Sequence, residues 1–323
     1  MAIDPQLDPF IASLERAWPE PPLSLPIEVR RARAEKLAAD ARPPYPAGLQ
    51  VEDRTVLSGP RPVRVRIYRP LSEPPLPALV YAHGGGWVIG SIETHDAFTA
   101  ALARDVSCIV VSVDYARAPE HPFPAALEDY CAVVEWLFDH GSEIGADKSS
   151  IIVGGDSAGG NLAAATALIL RRGSRRLGGQ LLIYPCVDVD FQRPSFISEA
   201  LAPFMTAAEM IWFWDQYCPD PVMRIDPRAV PWRAGDLSNL PPAFVVVAEH
   251  DCLRDEGAAY AERLRAAGND VVFRPGHGLI HGFVRARDLC EAAGEEYAAM
   301  VAWLRSPPGN KRDRAYVSGS GQP

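Results

Sequence analysis

The sequence predicts an α/β fold: a mostly parallel central sheet flanked by helices, with a helical cap. Three observations predict it. The runs "ALVYA" (78–82), "CIVVSV" (108–113), "IIVG" (151–154), "LLIY" (181–184), "FVVVA" (244–248) and "VVF" (271–273) are continuously apolar, the pattern of strands covered on both faces in a parallel sheet. Helical patterns separate them, as crossovers between parallel strands require. One stretch, 188–235, breaks the alternation with no strand pattern of its own.

Taken in order, residues 1–48 are rich in proline and charge, with helix-like stretches near 7–17 and 27–39. "VRVRIYR" (63–69) alternates apolar and basic residues, which predicts a half-exposed strand. "AALEDYCAVVEWLF" (125–138) puts Leu127, Tyr130, Val134 and Leu137 on one helical face, and "DEGAAYAERLRAAG" (255–268) ends on a C-cap glycine. Within 188–235, Thr206 and Glu209 form a capping box ahead of "MIWFWDQY". That helix is apolar on most faces, and with Phe204 it gathers Met210, Ile211, Trp212, Phe213 and Trp214. Burying an aromatic side chain is worth roughly 1.5–3 kcal/mol, so the cluster needs a cover. The free space in an open α/β fold lies above the carboxyl ends of the strands. Segments 1–48 and 188–235 are therefore expected to pack together as a cap over those strand ends. The core is then 49–187 plus 236–306, and 307–323 is a flexible tail.

With 323 residues, 48% apolar and 23% charged, the chain suits one large globular core with an appendage. A net charge of −9 offers no footprint for nucleic acid or an anionic membrane surface. The six cysteines are scattered without ligand-like spacing, and no apolar run approaches the ~20 residues of a membrane span. "MAIDPQLDPF" has no basic or apolar leader region. A cytoplasmic location is the expectation.

The chemistry begins at "GGDSAGG". A strand entering a helix through Gly155-x-Ser157-x-Gly159 is the nucleophile elbow of α/β-hydrolases, a sharp turn whose small neighbours leave the serine Oγ in the open. A phosphate loop is the rival reading, but Gly160 and Asn161 stand where Lys and Ser/Thr would be needed. A glycine-rich strand-to-helix turn without chemistry is the plainer one. "HGGGW" (83–87) follows an earlier strand, and consecutive glycines let main-chain N–H groups approach an oxyanion closely. His83 reads as a shaper of that loop rather than as a base. The N–H of Ala158, next after the serine, is a further oxyanion donor.

An acid and a histidine must follow. After "FVVVA", the stretch "EHDCLRDEG" offers Glu249, Asp251 and Asp255; Asp251, in the loop between strand and helix, is best placed. "PGHGLIHGF" then offers His277 and His281. They are four apart, like a zinc pair, but lack the glutamate of an HExxH frame, so no metal is expected.

"HGGGWVIGS", "DYARAPEHPFPAALED", "GDSAGGNLAAA", "LLIYP", "DCLRDEG" and "IHGF", in this order from about residue 60 to 304, resemble bacterial esterases of the hormone-sensitive lipase group. The resemblance implies Ser157 as nucleophile, His281 as general base, Asp251 as its orienter, and Gly84, Gly85 and Gly86 with Ala158 around the oxyanion. Ala116-Arg117 departs from the group's usual Arg-Leu, and Cys252 from its usual proline. Asp114, Tyr115, Glu120 and His121 read as supports for the active-site loops; Phe204 and Trp212 are expected to line the substrate pocket, and Trp87 either lines it or is an aromatic core residue. The implied activity is hydrolysis of short- to medium-chain acyl esters through an acyl-enzyme, with no cofactor. Alternatives on the same triad are an amidase and a lipase. Receptor relatives lack the histidine that this chain has. The expected partners are a small-molecule ester and, at most, a second copy of the chain in a homodimer, with no nucleic acid and no stable membrane anchor.

Overall fold

The structure is a computed structural model and describes residues 2–57 and 59–306; the flexible tail expected for 307–323 lies outside the described residues. Eight strands form one sheet: β1 (Leu49–Val56), β2 (Val63–Pro70), β3 (Leu76–Ala82), β4 (Ile109–Asp114), β5 (Ala146–Asp156), β6 (Gly179–Ile183), β7 (Ala243–Val246) and β8 (Val271–Arg274). Their order across the sheet is β1-β2-β4-β3-β5-β6-β7-β8. The first two pairings are antiparallel and all the others parallel.

The apolar runs are continuous because both faces are covered. Val80, Val111 and Val153 face one core, while Leu79, Val110 and Ile152 face the other. Helices α4 (Ala125–His140), α5 (Ala158–Leu170) and α8 (Arg254–Ala266) pack on the first face through Leu127, Leu162 and Leu264. Helices α3 (Ile92–Val106) and α9 (Glu291–Arg305) close the second through Phe98, Leu102, Met300 and Leu304.

Two readings of the sequence need correction. β2 is not half exposed: six of its eight residues are buried, and Arg66 lies among Asp53, Glu93 and Asp96 at 2.6, 2.9 and 2.9 Å. The partner Asp53 belongs to β1, an antiparallel edge strand that the apolar pattern missed because Glu52, Asp53 and Arg54 sit at its centre.

Residues before β1 form α1 (Asp8–Ala17) and α2 (Ile27–Asp40). The segment 188–235 has no strand among its residues; it holds α6 (Pro194–Ser198) and α7 (Ala207–Tyr217). The capping box forms, with Glu209 N donating to Thr206 Oγ1 at 3.2 Å and Thr206 N to Glu209 Oε2 at 3.1 Å. The two segments touch. Phe10 of α1 stacks on Phe204 with ring centroids 6.4 Å apart, and the Arg30 guanidinium of α2 lies 4.7 Å from the Trp212 ring centre and 5.2 Å from that of Phe213. Among the described residues, no helix is long and apolar enough to cross a membrane.

Candidate active site

Ser157 stands between β5 and α5 with φ 56° and ψ −119°, a left-handed conformation that a side chain rarely adopts. Main-chain bonds hold it there: its N–H donates to Ile183 O at 2.8 Å, and its carbonyl accepts from Asn161 N at 3.1 Å and Cys186 N at 3.3 Å. The elbow also needs Gly159, where a Cβ would collide with the Ala82 carbonyl at the end of β3. Strain concentrated in one residue and overdetermined by its neighbours is the mark of a functional turn.

The acid and histidine loops extend the parallel pair β7–β8. His250 and Ile280 form one more bridge beyond the strands, with His250 N donating to Leu279 O at 2.9 Å. One residue further on, Asp251 and His281 face each other. His281 Nδ1 lies 2.6 Å from Asp251 Oδ2, both groups are buried, and Asp251 Oδ1 accepts from Leu253 N at 2.9 Å. The Tyr184 ring, 4.5 Å from the imidazole, packs beside it.

The other acids are engaged elsewhere. Asp255 accepts from Ser195 N at 2.7 Å, and Glu249 from Gly278 N at 2.8 Å. His277 is exposed and lies 3.5 Å from Glu249, so the two histidines of this loop do not share a site.

The glycine loop 83–90 rests on a buried carboxylate that the sequence reading passed over. Asp156 Oδ1 accepts from Tyr81 Oη at 2.7 Å and from Gly84 N at 2.9 Å. Burial opposes the charge of Asp156, but His95, the Tyr81 hydroxyl and Arg285 outweigh it and hold the carboxyl well below its usual range. This corrects one oxyanion expectation: the Gly84 N–H is taken by Asp156 and cannot also point at substrate. No residue of the described chain takes the N–H of Gly85 or Gly86. The Ala158 N–H, in the first turn of α5, has no intrahelical acceptor.

His83 shapes the loop, with Nδ1 2.9 Å from Gly84 O and its ring stacked 4.2 Å from Tyr115. Burial, with the nearby His95, lowers its pKa to about 3, so it stays neutral. Of the other supports, Tyr115 donates to His83 O at 2.7 Å, Asp114 lies 3.6 Å from Arg64, and Glu120 pairs with Arg31.

Trp87 does not line a pocket. It is wholly buried in the core, stacked 4.1 Å from Tyr217, with a positive φ of 59°. Phe204, 6.0 Å from His281 between ring centres, flanks the imidazole. Trp212 faces Arg30, whereas its neighbour Phe213 lies against the glycine loop, where a Cβ on Gly86 would strike its ring. Phe213 stood in the aromatic cluster of the sequence, but only helical phase distinguishes it from Trp212.

A model of a family with the α/β-hydrolase fold matches residues 79–285. The chain belongs to that family, and within it to the hormone-sensitive lipase group that its motifs resemble. Among its relatives is carboxylesterase NlhH of Mycobacterium tuberculosis, 40% identical over 93% of this chain and 96% of the relative. Ethyl acetate hydrolase of Pseudomonas putida is 37% identical over 75% of this chain and 77% of its own length. The solved structure of a hyperthermophilic esterase from the archaeon Pyrobaculum calidifontis superposes with a TM-score of 0.87 at 40% identity, covering 95% of this chain and 99% of the other.

Proposed function

We propose that this chain, a carboxylic ester hydrolase, works through Ser157, His281 and Asp251 and an acyl-enzyme intermediate. The observation that carries the reading is the 2.6 Å contact between His281 Nδ1 and Asp251 Oδ2, in the loops that follow β7 and β8. Asp251 fixes the imidazole tautomer with Nε2 free to take a proton. His281 removes the Ser157 hydroxyl proton as Oγ attacks the ester carbonyl. The resulting oxyanion is held by the N–H groups of Gly85, Gly86 and Ala158, donors that are preorganised and need no rearrangement. His281 then protonates the departing alkoxide. Water, deprotonated by the same histidine, releases the acid and restores the serine.

Residues 1–48 and 188–235 act as a cap over the acyl pocket, with Phe204 beside the imidazole and Phe213 on the glycine loop. A pocket so roofed takes short- to medium-chain acyl groups, acetyl to about octanoyl; the P. putida relative's name, ethyl acetate hydrolase, supports the short end. A cytoplasmic location suits six cysteines that form no disulfide.

Steady-state kinetics on a series of p-nitrophenyl esters test the reading. Ser157→Ala, His281→Ala and Asp251→Asn should each lower kcat by roughly 10³-fold or more with the fold retained. Near-normal activity in Asp251→Asn, with Asp255→Asn or Glu249→Gln inactive, would overturn the acid assignment.

A further inference from the structure

We propose that Arg31, on the N-terminal helix α2, is a positioning residue for the oxyanion loop. The proposal rests on the reading of 83–90 as that loop. Three of its carbonyls are tied down from outside: Trp87 O accepts from Ala118 N at 2.9 Å, Gly90 O from Arg117 Nη1 at 2.8 Å, and Val88 O from Arg31 Nε at 2.8 Å. The Val88 carbonyl shares its peptide plane with the Ile89 N–H, which donates to Gly85 O at 2.9 Å, and the Gly85 carbonyl shares its plane with the Gly86 N–H, so holding Val88 O fixes a proposed oxyanion donor through one further hydrogen bond.

Arg31 does more than hold one carbonyl. Its Nη2 donates to Ala118 O at 2.9 Å, and its Nη1 and Nη2 reach the two Glu120 carboxylate oxygens at 2.6 and 2.8 Å. One rigid guanidinium thus joins three stretches distant in sequence: α2, the glycine loop, and the "ARAPE" loop after β4. A lysine has neither the fork nor the reach for four such bonds. The ion pair contributes little, since Glu120 is more than half exposed. The bonds to the carbonyls of Val88 and Ala118 carry the geometry, because both residues are fully buried and losing the donor strands their acceptors. Arg30, the preceding residue, packs on Phe213, whose ring lies against Gly86.

An oxyanion donor acts in the transition state, and displacing a catalytic group by about 1 Å can cost on the order of 10²-fold. Arg31→Ala should therefore lower kcat by roughly 10- to 100-fold while KM moves less than about threefold. Arg31→Lys should fall at least about fivefold in kcat, which keeps the test open if the alanine variant fails to fold. Affinity for a trifluoromethyl ketone, which adds to the serine and places an oxyanion in the hole, should weaken in parallel with kcat. Melting temperature reports folding. A rise in KM with kcat and ketone affinity unchanged would make Arg31 a roof residue only, and unchanged kinetics in both variants would equally overturn the proposal. The serine reading fails separately: in that case the wild-type protein itself would not bind the ketone.

Discussion

Ser157, Asp251 and His281 follow β5, β7 and β8 in an elbow and loops tied by main-chain bonds, with a strained φ at Ser157, whereas α1 and α2 meet the 188–235 part of the proposed roof through ring and guanidinium contacts. In the floor, a carbonyl such as that of Ala82 approaches Gly159 so closely that no side chain fits. In the roof, contacts are rings on rings and a guanidinium on rings, which can shift by fractions of an ångström and still hold. The Arg30 guanidinium shows the cost: burial lowers its pKa, and Glu209, 3.7 Å away, offsets only part of that. On the proposed reading, the floor fixes the reaction and the roof selects what reaches it. The Arg31 bridge is where the two meet.

The largest effect is expected where the floor has no slack. Gly159→Ala should prevent folding or remove at least about 10²-fold of the activity, since a carbonyl rather than a flexible side chain must yield. Gly235→Ala, where a new methyl group meets nothing within 4 Å, should melt within a degree or two of wild type. Equal tolerance at both positions would break the comparison.

Removing residues 1–40 should have the next largest effect. It exposes Phe213 and Trp212, takes away Arg31, and should lower solubility, reduce kcat about 10-fold or more, and shift the preferred acyl length upward. Unchanged solubility, activity and chain preference would reduce the N-terminal helices to an appendage.

The smallest effect separates the regions by pH. His83 in the floor has its pKa lowered from 6.5 to about 3 by burial, so as pH falls below 6.5 the unfolded chain binds a proton that the folded chain refuses. Stability in urea should then fall with a slope approaching ~1.4 kcal/mol per pH unit, a loss that His83→Asn should blunt. Glu120, whose hydrogen bond to Arg31 lowers its pKa from 4.5 to about 2, contributes above 4.5 and loses that contribution only as pH falls towards 2. Identical acid profiles for wild type and His83→Asn would contradict the burial argument.

The same division decided what could be read from the sequence. The elbow was legible because its constraints lie within five residues, and the cap helix because Thr206 and Glu209 announce its start. Strand order pointed to Asp251, but spacing could not choose between His277 and His281; the family resemblance did. The engagement of Gly84 with Asp156 was not legible, since it depends on a carboxylate 72 residues away brought in by the pairing of β3 and β5. Sequence left Trp87 open between pocket and core, and the structure places it in the core against Tyr217. Arg30 and Arg31 lie in "IEVRRARAEKLAAD", which reads only as helix-like and rich in charge; only the folded chain shows one arginine buried against rings and the other bridging two loops.

The central claim is that Ser157 is the nucleophile. A fluorophosphonate, which phosphonylates an activated serine irreversibly, tests it most directly when activity loss is followed alongside peptide mapping by mass spectrometry. The account predicts one adduct per chain, on Ser157, formed in proportion to the activity lost and absent from Asp251→Asn on the same timescale. An inactivated enzyme carrying its adduct elsewhere, or an active one with Ser157 modified, would contradict it.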